Sequence, residues 1–322
     1  MNVNYLRISV TDRCNLRCTY CNPLGACDFI AHEEILTFEE IQRLVKLFAE
    51  CGIQKVRLTG GEPLVRKGIA ELVRRLADIS GIEEVTLTTN GVLLAAMATE
   101  LKAAGATRVN VSVDSMNRET YQRITGSDAL ADSLSGIRKA IEVGLTPVRI
   151  NSVIVKGLND SVEEITALAR MSVDLPVTVR FIEYCPTDTK TLAASSYVPN
   201  SEICRMVESK FGSLSPVASG YRDGPAVYFK MRDSAGMIGF ISGRSSMFCQ
   251  TCNRLRLTSD GKVKPCLYAA PAYELKGLLR SGAGDEELLA LLRTIVSQKG
   301  RYTKVNSSVE IFEKFSMQSI GG

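Results

Sequence analysis

The chain has 322 residues, with 39 Lys and Arg against 35 Asp and Glu for a net charge of +4. That excess is too small and too dispersed for duplex nucleic acid, whose binding needs a concentrated basic footprint. With 45% hydrophobic residues it can bury a large core without disulfide staples, and its length suits two conventional domains or one large α/β barrel with an extension.

The opening MNVNYLRISV has no apolar run followed by a cleavage site, and no stretch is long enough to span a bilayer. A cytoplasmic protein without membrane contact is expected, its ten cysteines mostly reduced. The single histidine, His32, excludes His-rich metal sites and Ser-His-Asp triads.

From Tyr5 to about Glu183, short β-branched runs alternate with longer amphipathic ones. The strand candidates are YLRISV, KVRLT, EVTLTT, RVNVSV, VRINSVIV and VTVRFIE. Thr37–Glu40 and Ser161–Glu164 have capping-box spacing, and Gly52, Gly105 and Gly144 sit where helices end. Six βα units imply a parallel sheet with right-handed crossovers and are too few for an eight-unit barrel. The expected fold class is α/β: a partial (βα)6 TIM-type barrel with a C-terminal extension.

The chemically specific words all follow strands: TDRCNLRCTYC, TGGEP, TTNG, VDS, KGLND and EYCPTD. Barrel sites are built at that end. After Glu183 come a loop from Tyr184 to Asn200, a helix from Ser201 to Phe211, and a linker-like stretch from Ser213 to Gly224. The expected division is therefore residues 1–212 and 213–322. In the second part, strands AVYFK and MIGFIS precede a hairpin turn at SDGK. Helices near Tyr273–Arg280 and Glu286–Gln298 follow, then an irregular tail ending Gly321-Gly322.

Six cysteines form two groups, a pattern that in a reducing compartment means metal or catalysis. Cys14, Cys18 and Cys21 would share a helical face, but Asp12, Arg13, Asn15, Arg17 and Asn22 surround them and leave little to pack. Three thiolates on a loop suit an iron–sulfur cluster that keeps one iron open. Cys27 lies close by, yet NPLGA would have to fold straight back to let it ligate. Cys51 and Cys204 read as packing residues. The second group, Cys249, Cys252 and Cys266, fits either structural zinc or another cluster. Arg254 and Arg256 alternate, so on a strand they share one face, as phosphate or carboxylate recognition requires or as a solvated face allows. In LTGGEP, Gly60 and Gly61 permit close backbone approach to a ligand, and Glu62 can take an ammonium group.

Together these words resemble the radical S-adenosylmethionine (SAM) superfamily. Its mark is the spacing of Cys14, Cys18 and Cys21 with an aromatic, Tyr20, before the third. GGEP matches its motif for the methionine amino group. FCQTCNRLRLTSDGKVKPCLY, LRISVTDRCNLRCTYC and the terminal Gly-Gly resemble, within it, the GTP cyclases that begin molybdenum cofactor biosynthesis.

The resemblance implies two 4Fe-4S clusters, on Cys14, Cys18 and Cys21 and on Cys249, Cys252 and Cys266. It implies SAM in a pocket of Tyr20, Gly60, Gly61, Glu62, Ser112 and Cys185. GTP would meet Arg7, Arg57, Thr88, Arg149, Arg180, Arg254, Leu255 and Arg256, with Arg254, Arg256, Gly321 and Gly322 serving catalysis. A SAM-derived radical would take hydrogen from the ribose 3′ carbon, which then attacks guanine carbon 8. Implied partners are GTP, an electron donor and a downstream enzyme forming the cyclic pyranopterin; nucleic acid and membrane are not expected, and the chain would be a monomer or homodimer.

Asn22 and Cys185 stand where that family has Met, and Arg149 where it has Lys. The short lead into the first strand is expected to leave one barrel edge less covered. Two alternatives are another radical SAM enzyme with an auxiliary cluster, acting on peptide or tRNA, and a zinc-stapled binding module.

Overall fold

The structure is a computed structural model describing residues 3–21, 29–185, 194–218, 224–246, 248–267 and 273–300. Six β-branched runs form β1 (Tyr5–Ser9), β2 (Lys55–Thr59), β3 (Glu84–Thr89), β4 (Arg108–Ser112), β5 (Val148–Ile154) and β6 (Val177–Glu183). Each pairs in parallel with the next. The crossovers are α1 (Phe38–Glu50), α2 (Ile69–Ala77), α3 (Leu94–Ala103), then α4 (Arg118–Thr125) with α5 (Leu130–Glu142), and α6 (Val162–Asp174).

Thr37 and Glu40 make the reciprocal capping box at α1. At α6 only half of the expected box forms. Ser161 accepts from the Glu164 N–H, while the Glu164 carboxylate accepts instead from the Ser115 hydroxyl. Gly52, Gly105 and Gly144 follow α1, α3 and α5 at positive φ, as helix-ending positions.

Strand alternation divides the sheet into two faces. Leu6, Ile8, Val56, Leu58, Leu87, Val109, Val111, Ile150 and Val179 meet apolar helix residues such as Leu44, Phe48, Leu72 and Ile137 in one core. The intervening residues, Arg7, Arg57, Thr86, Asn110, Arg149 and Arg180 among them, face the concave side and form a polar lumen.

The rest of the chain extends this sheet at both ends. It comprises α7 (Asn200–Phe211), β7 (Ser215–Val217), β8 (Val227–Lys230), β9 (Met237–Ile241), β10 (Arg254–Leu257), β11 (Lys262–Lys264), β12 (Tyr273–Glu274), α8 (Lys276–Arg280) and α9 (Asp285–Gln298). β10 lies parallel to β1 and β9 parallel to β6. Antiparallel strands follow outward, giving the order β12-β11-β10-β1-β2-β3-β4-β5-β6-β9-β8-β7. The β1 edge, expected to be less covered, is occupied by β10.

Two other expectations change. The helix foreseen over Tyr273–Arg280 begins with β12, which pairs with β11 before α8 starts. Part of the linker-like stretch is β7, paired with β8. The extension is also tied to α1, where Arg43 donates to Asp285 at 2.8 Å and Arg280 to Glu40 at 2.8 Å. Among the described residues no helix is long and apolar enough to cross a membrane.

Candidate active site

The first cysteine loop leaves β1 and is pinned along its length by backbone. Arg17 and Thr19 N–H groups donate to the Thr125 and Ile124 carbonyls at the end of α4, and Cys21 N–H donates to Cys18 O. After β2, Gly61 N–H donates to Thr11 O at 2.7 Å and Glu62 N–H to Arg13 O at 2.8 Å. A Cβ at Gly60 would stand 2.4 Å from Thr11 O, and one at Gly61 2.3 Å from Arg13 O. The close approach that these glycines permit is thus to the backbone leading into Cys14.

Glu62 turns inward and is 1% exposed. Its carboxylate accepts from Leu64 N–H, the Thr89 hydroxyl and Asn90 N–H, at 3.0, 2.7 and 2.7 Å. Burial nonetheless lifts its pKa to about 7. The carboxylate expected to meet an ammonium group is occupied in bracing the β2 and β3 loops. Asn90, in the TTNG word, extends this brace: its amide donates to Asn15 Oδ1 at 2.7 Å and reaches Cys14 Sγ at 3.9 Å.

Tyr20 donates to Asp114 Oδ2 at 2.6 Å, and Val153 N–H serves Oδ1 of the same carboxylate at 2.8 Å. Burial raises Asp114 to about 6. Burial, then Asp114 and the thiols of Cys21 and Cys14, hold the Cys18 thiol well above its ordinary value. Ser112 ends β4 and half-buried Cys185 follows β6, so the residues expected around SAM lie at the C-terminal ends of one set of strands. Glu183, just before Cys185, accepts from the N–H groups of Asn200, Arg244 and Ser245 at 3.1, 2.9 and 2.8 Å, and from the hydroxyls of Ser245 and Tyr197.

Deeper in the lumen, the register sets Arg7 between Arg57 and Arg256, Tyr5 between Lys55 and Arg254, Thr88 beside Asn110, and Asn110 beside Arg149. Arg57 Nε donates to the Thr86 hydroxyl at 3.2 Å. Arg180 donates to Asn151 Oδ1 through Nε and Nη2, at 2.9 and 2.6 Å. The Asn110 amide, with its oxygen turned to the guanidiniums, accepts from Arg180 at 2.9 Å and from Arg57.

Lys55 and Arg108 share Glu84, at 2.7 and 3.3 Å. Burial, reinforced by neighbouring guanidiniums, pulls Arg7, Arg57 and Arg180 down to about 9 and Arg256 to about 10. Tyr5 responds oppositely: burial would raise it, but Arg57, Arg7, Lys55 and Arg254 together lower it to about 8. Thr88 Oγ1 is buried without a hydrogen-bond partner among the described residues, as a group awaiting a ligand or water would be. The clustered guanidiniums make the lumen chemically suited to an anion.

The second cysteine group sits at the β1 edge. Cys249 opens a single 3-10 turn ending at Thr251, and Asn253 O accepts from the N–H groups of Asn4 and Tyr5. β10 then presents Arg254 and Arg256 beside Tyr5 and Arg7. Leu255, expected among the GTP contacts, points the other way. Its side chain is fully buried in the core, so only its backbone remains for a ligand. The β10–β11 hairpin foreseen at SDGK returns the chain to Cys266.

Burial and the neighbouring thiols of Cys266 and Cys252 push Cys249 up. Cys252 is lowered to about 7, because Arg254 and Lys299 outweigh its burial. Lys299, unremarked in the sequence, is 3% exposed and donates to Cys252 Sγ at 3.4 Å. Among the described residues no three Cys, His, Asp or Glu side chains converge as ligands of one metal ion would. Asn22, Cys27, Gly321 and Gly322 lie outside the described residues.

Residues 8–169 match the radical SAM superfamily and residues 177–305 the Molybdenum Cofactor Synthesis C family. The GTP 3′,8-cyclase of Pelotomaculum thermopropionicum is 47% identical over 298 residues, 92% of this chain and 91% of that one. That of Petrotoga mobilis is 46% identical over 326 residues, 100% of this chain and 98% of that one. The chain belongs to the GTP 3′,8-cyclase family of radical SAM proteins.

Solved structures agree at the level of fold. Streptococcus suis SuiB bound to S-adenosylmethionine superposes with a TM-score of 0.63 at 17% identity, covering 91% of this chain and 68% of that chain. Methylornithine synthase (PylB) gives 0.52 at 21% identity, covering 66% and 63%.

Membership of this radical SAM family brings one 4Fe-4S cluster and SAM. The first loop fits that cluster: after burial and Asp114, the thiols of Cys21 and Cys14 both push the Cys18 thiol up, and iron would relieve that opposition. Asn90, Asp114, Glu183 and Lys299 join the site without being singled out individually by the sequence. Asn90, Asp114 and Glu183 lie in the words TTNG, VDS and EYCPTD that follow strands, whereas Lys299 carries no local signal, because its role depends on segments distant in the chain.

Proposed function

We infer that this protein is a GTP 3′,8-cyclase, converting GTP to (8S)-3′,8-cyclo-7,8-dihydroguanosine 5′-triphosphate as the first step of molybdenum cofactor biosynthesis. The observation that carries the reading is the register of β10 on β1. It gathers Arg254 and Arg256 from the extension with Arg7 and Arg57 from the barrel, next to a second cysteine triplet. Buried guanidiniums at that density call for a polyanion, and a nucleoside triphosphate supplies one.

Cys14, Cys18 and Cys21 would hold the first cluster and Cys249, Cys252 and Cys266 a second. SAM would sit among Tyr20, Gly60, Gly61, Ser112 and Cys185. When bound, the first cluster and SAM supply the radical that removes hydrogen from the ribose 3′ carbon. The protein's share is positional. Arg7, Arg57, Arg149, Arg180 and Arg256 orient the triphosphate, Thr88 offers its buried hydroxyl, and the strands exclude water. Residues 1–212 would act as the barrel and 213–322 as the GTP-side extension, with Gly321 and Gly322 completing the site. A cytoplasmic setting, an electron donor and a downstream pyranopterin-forming enzyme belong to the same reading.

The deciding experiment is anaerobic turnover of reconstituted protein with GTP and SAM, analysed for the cyclised nucleotide. SAM cleavage with GTP left intact would overturn the assignment in favour of another radical SAM chemistry. Two zinc ions per chain and no iron or sulfide in anaerobic protein would end the catalytic reading.

A further inference from the structure

Lys299 closes α9 and is 3% exposed. A buried ammonium is costly unless acceptors or an anion meet it. It donates to Cys252 Sγ at 3.4 Å and to the carbonyl of Pro265, the residue before Cys266. One cation therefore joins the turn that carries Cys249 and Cys252 to the segment that carries Cys266. Arg254 serves the same sulfur through its backbone N–H and its guanidinium. In the first triplet, Cys14 Sγ receives the neutral Leu16 N–H at 3.4 Å and the Asn90 amide at 3.9 Å, and Cys18 a hydrogen bond from Tyr20.

We propose that Lys299 is a positioning residue for the second cluster, a fixed cation on Cys252 that raises the cluster's reduction potential and holds its ligand segments together. The inference rests on the reading that Cys249, Cys252 and Cys266 bind a cluster. Reduction adds negative charge that is shared with the thiolates, and a hydrogen-bonding ammonium stabilises that form more than the oxidised one. Lys299 acts through Cys252 and need not touch GTP or SAM.

The test uses anaerobically reconstituted full-length wild type, Lys299→Met and Lys299→Arg. Iron and sulfide are measured, and both clusters are titrated potentiometrically by electron paramagnetic resonance. Lys299→Met is expected to shift the second cluster to more negative potential, leave the first unmoved, and be restored toward wild type by Lys299→Arg. Loss of about one cluster's iron in Lys299→Met, recovered in Lys299→Arg, supports the same role. Unchanged potentials at full iron content overturn the proposal, as does Lys299→Arg failing in the same way as Lys299→Met, which would make the position a matter of side-chain shape. Wild type that holds iron for one cluster only would instead refute the second-cluster reading itself.

Discussion

The Tyr20 hydroxyl donates to Asp114 at 2.6 Å across 94 residues of sequence, tying the first cysteine loop to the end of β4. Charge-assisted bonds of this kind contribute about 1.5–3 kcal/mol. Tyr20→Phe removes this bond and the hydrogen bond of the same side chain to Cys18, while leaving all three thiols in place. It should keep iron near wild type while weakening SAM about tenfold, a loss of about 1.4 kcal/mol. Equilibrium SAM binding to anaerobically reconstituted protein checks this; unchanged affinity would assign the pair to folding alone.

Gly61 makes a second, steric prediction. A Cβ there would meet Arg13 O at 2.3 Å, and backbone cannot swing aside as a side chain does. Gly61→Ala should displace the loop and lose about one cluster's worth of iron, matching Cys18→Ser, whereas Cys27→Ser should retain it. Equal losses in all three variants would mean that the ligands are misassigned.

Arg180 is 4% exposed and held by the amides of Asn151 and Asn110 and by the Tyr228 side chain, none of them a carboxylate, so its charge suits a bound anion. Arg180→Ala should weaken GTP binding by roughly 10- to 100-fold, the loss of one buried charged contact, while uncoupled SAM cleavage continues. Arg254 is a less clean probe because it also serves Cys252. GTP affinity unchanged in Arg180→Ala would remove that residue from the substrate site.

Tyr5 supplies the pH test. Its pKa falls from 10.0 to about 8 in the folded protein, so between those values the folded state binds fewer protons than the unfolded one. The phenolate's stabilising contribution is complete above the unfolded value and is lost as pH falls through about 8. Ligand-free protein should show a tyrosinate absorbance step near pH 8 that is absent in Tyr5→Phe. GTP should move the step upward by neutralising the arginines. A Tyr5 that titrates like an exposed phenol would show that the lumen cations are screened.

Much of the fold was legible because its signals are local. The six strand runs, the Thr37–Glu40 box and the SDGK hairpin depend on neighbours within a few positions. Alternation in Arg254-Leu255-Arg256-Leu257 likewise says that one face is polar. It does not name the strand alongside.

Where the structure departs from the local pattern, a distant partner intervenes. Glu164 leaves its box for Ser115. β10 covered the edge of β1 from the far end of the chain.

The sequence by itself determined the family, the two cysteine triplets and the run of βα units, since spacing and periodicity express covalent neighbours and one buried face. Tertiary structure alone decided that β10 and β9 prolong the barrel's two edges, that Arg254 and Arg256 face Tyr5 and Arg7, and that Lys299 reaches Cys252. Strand partners and buried cations are chosen by complementarity between segments tens to hundreds of residues apart, and no local pattern encodes that choice.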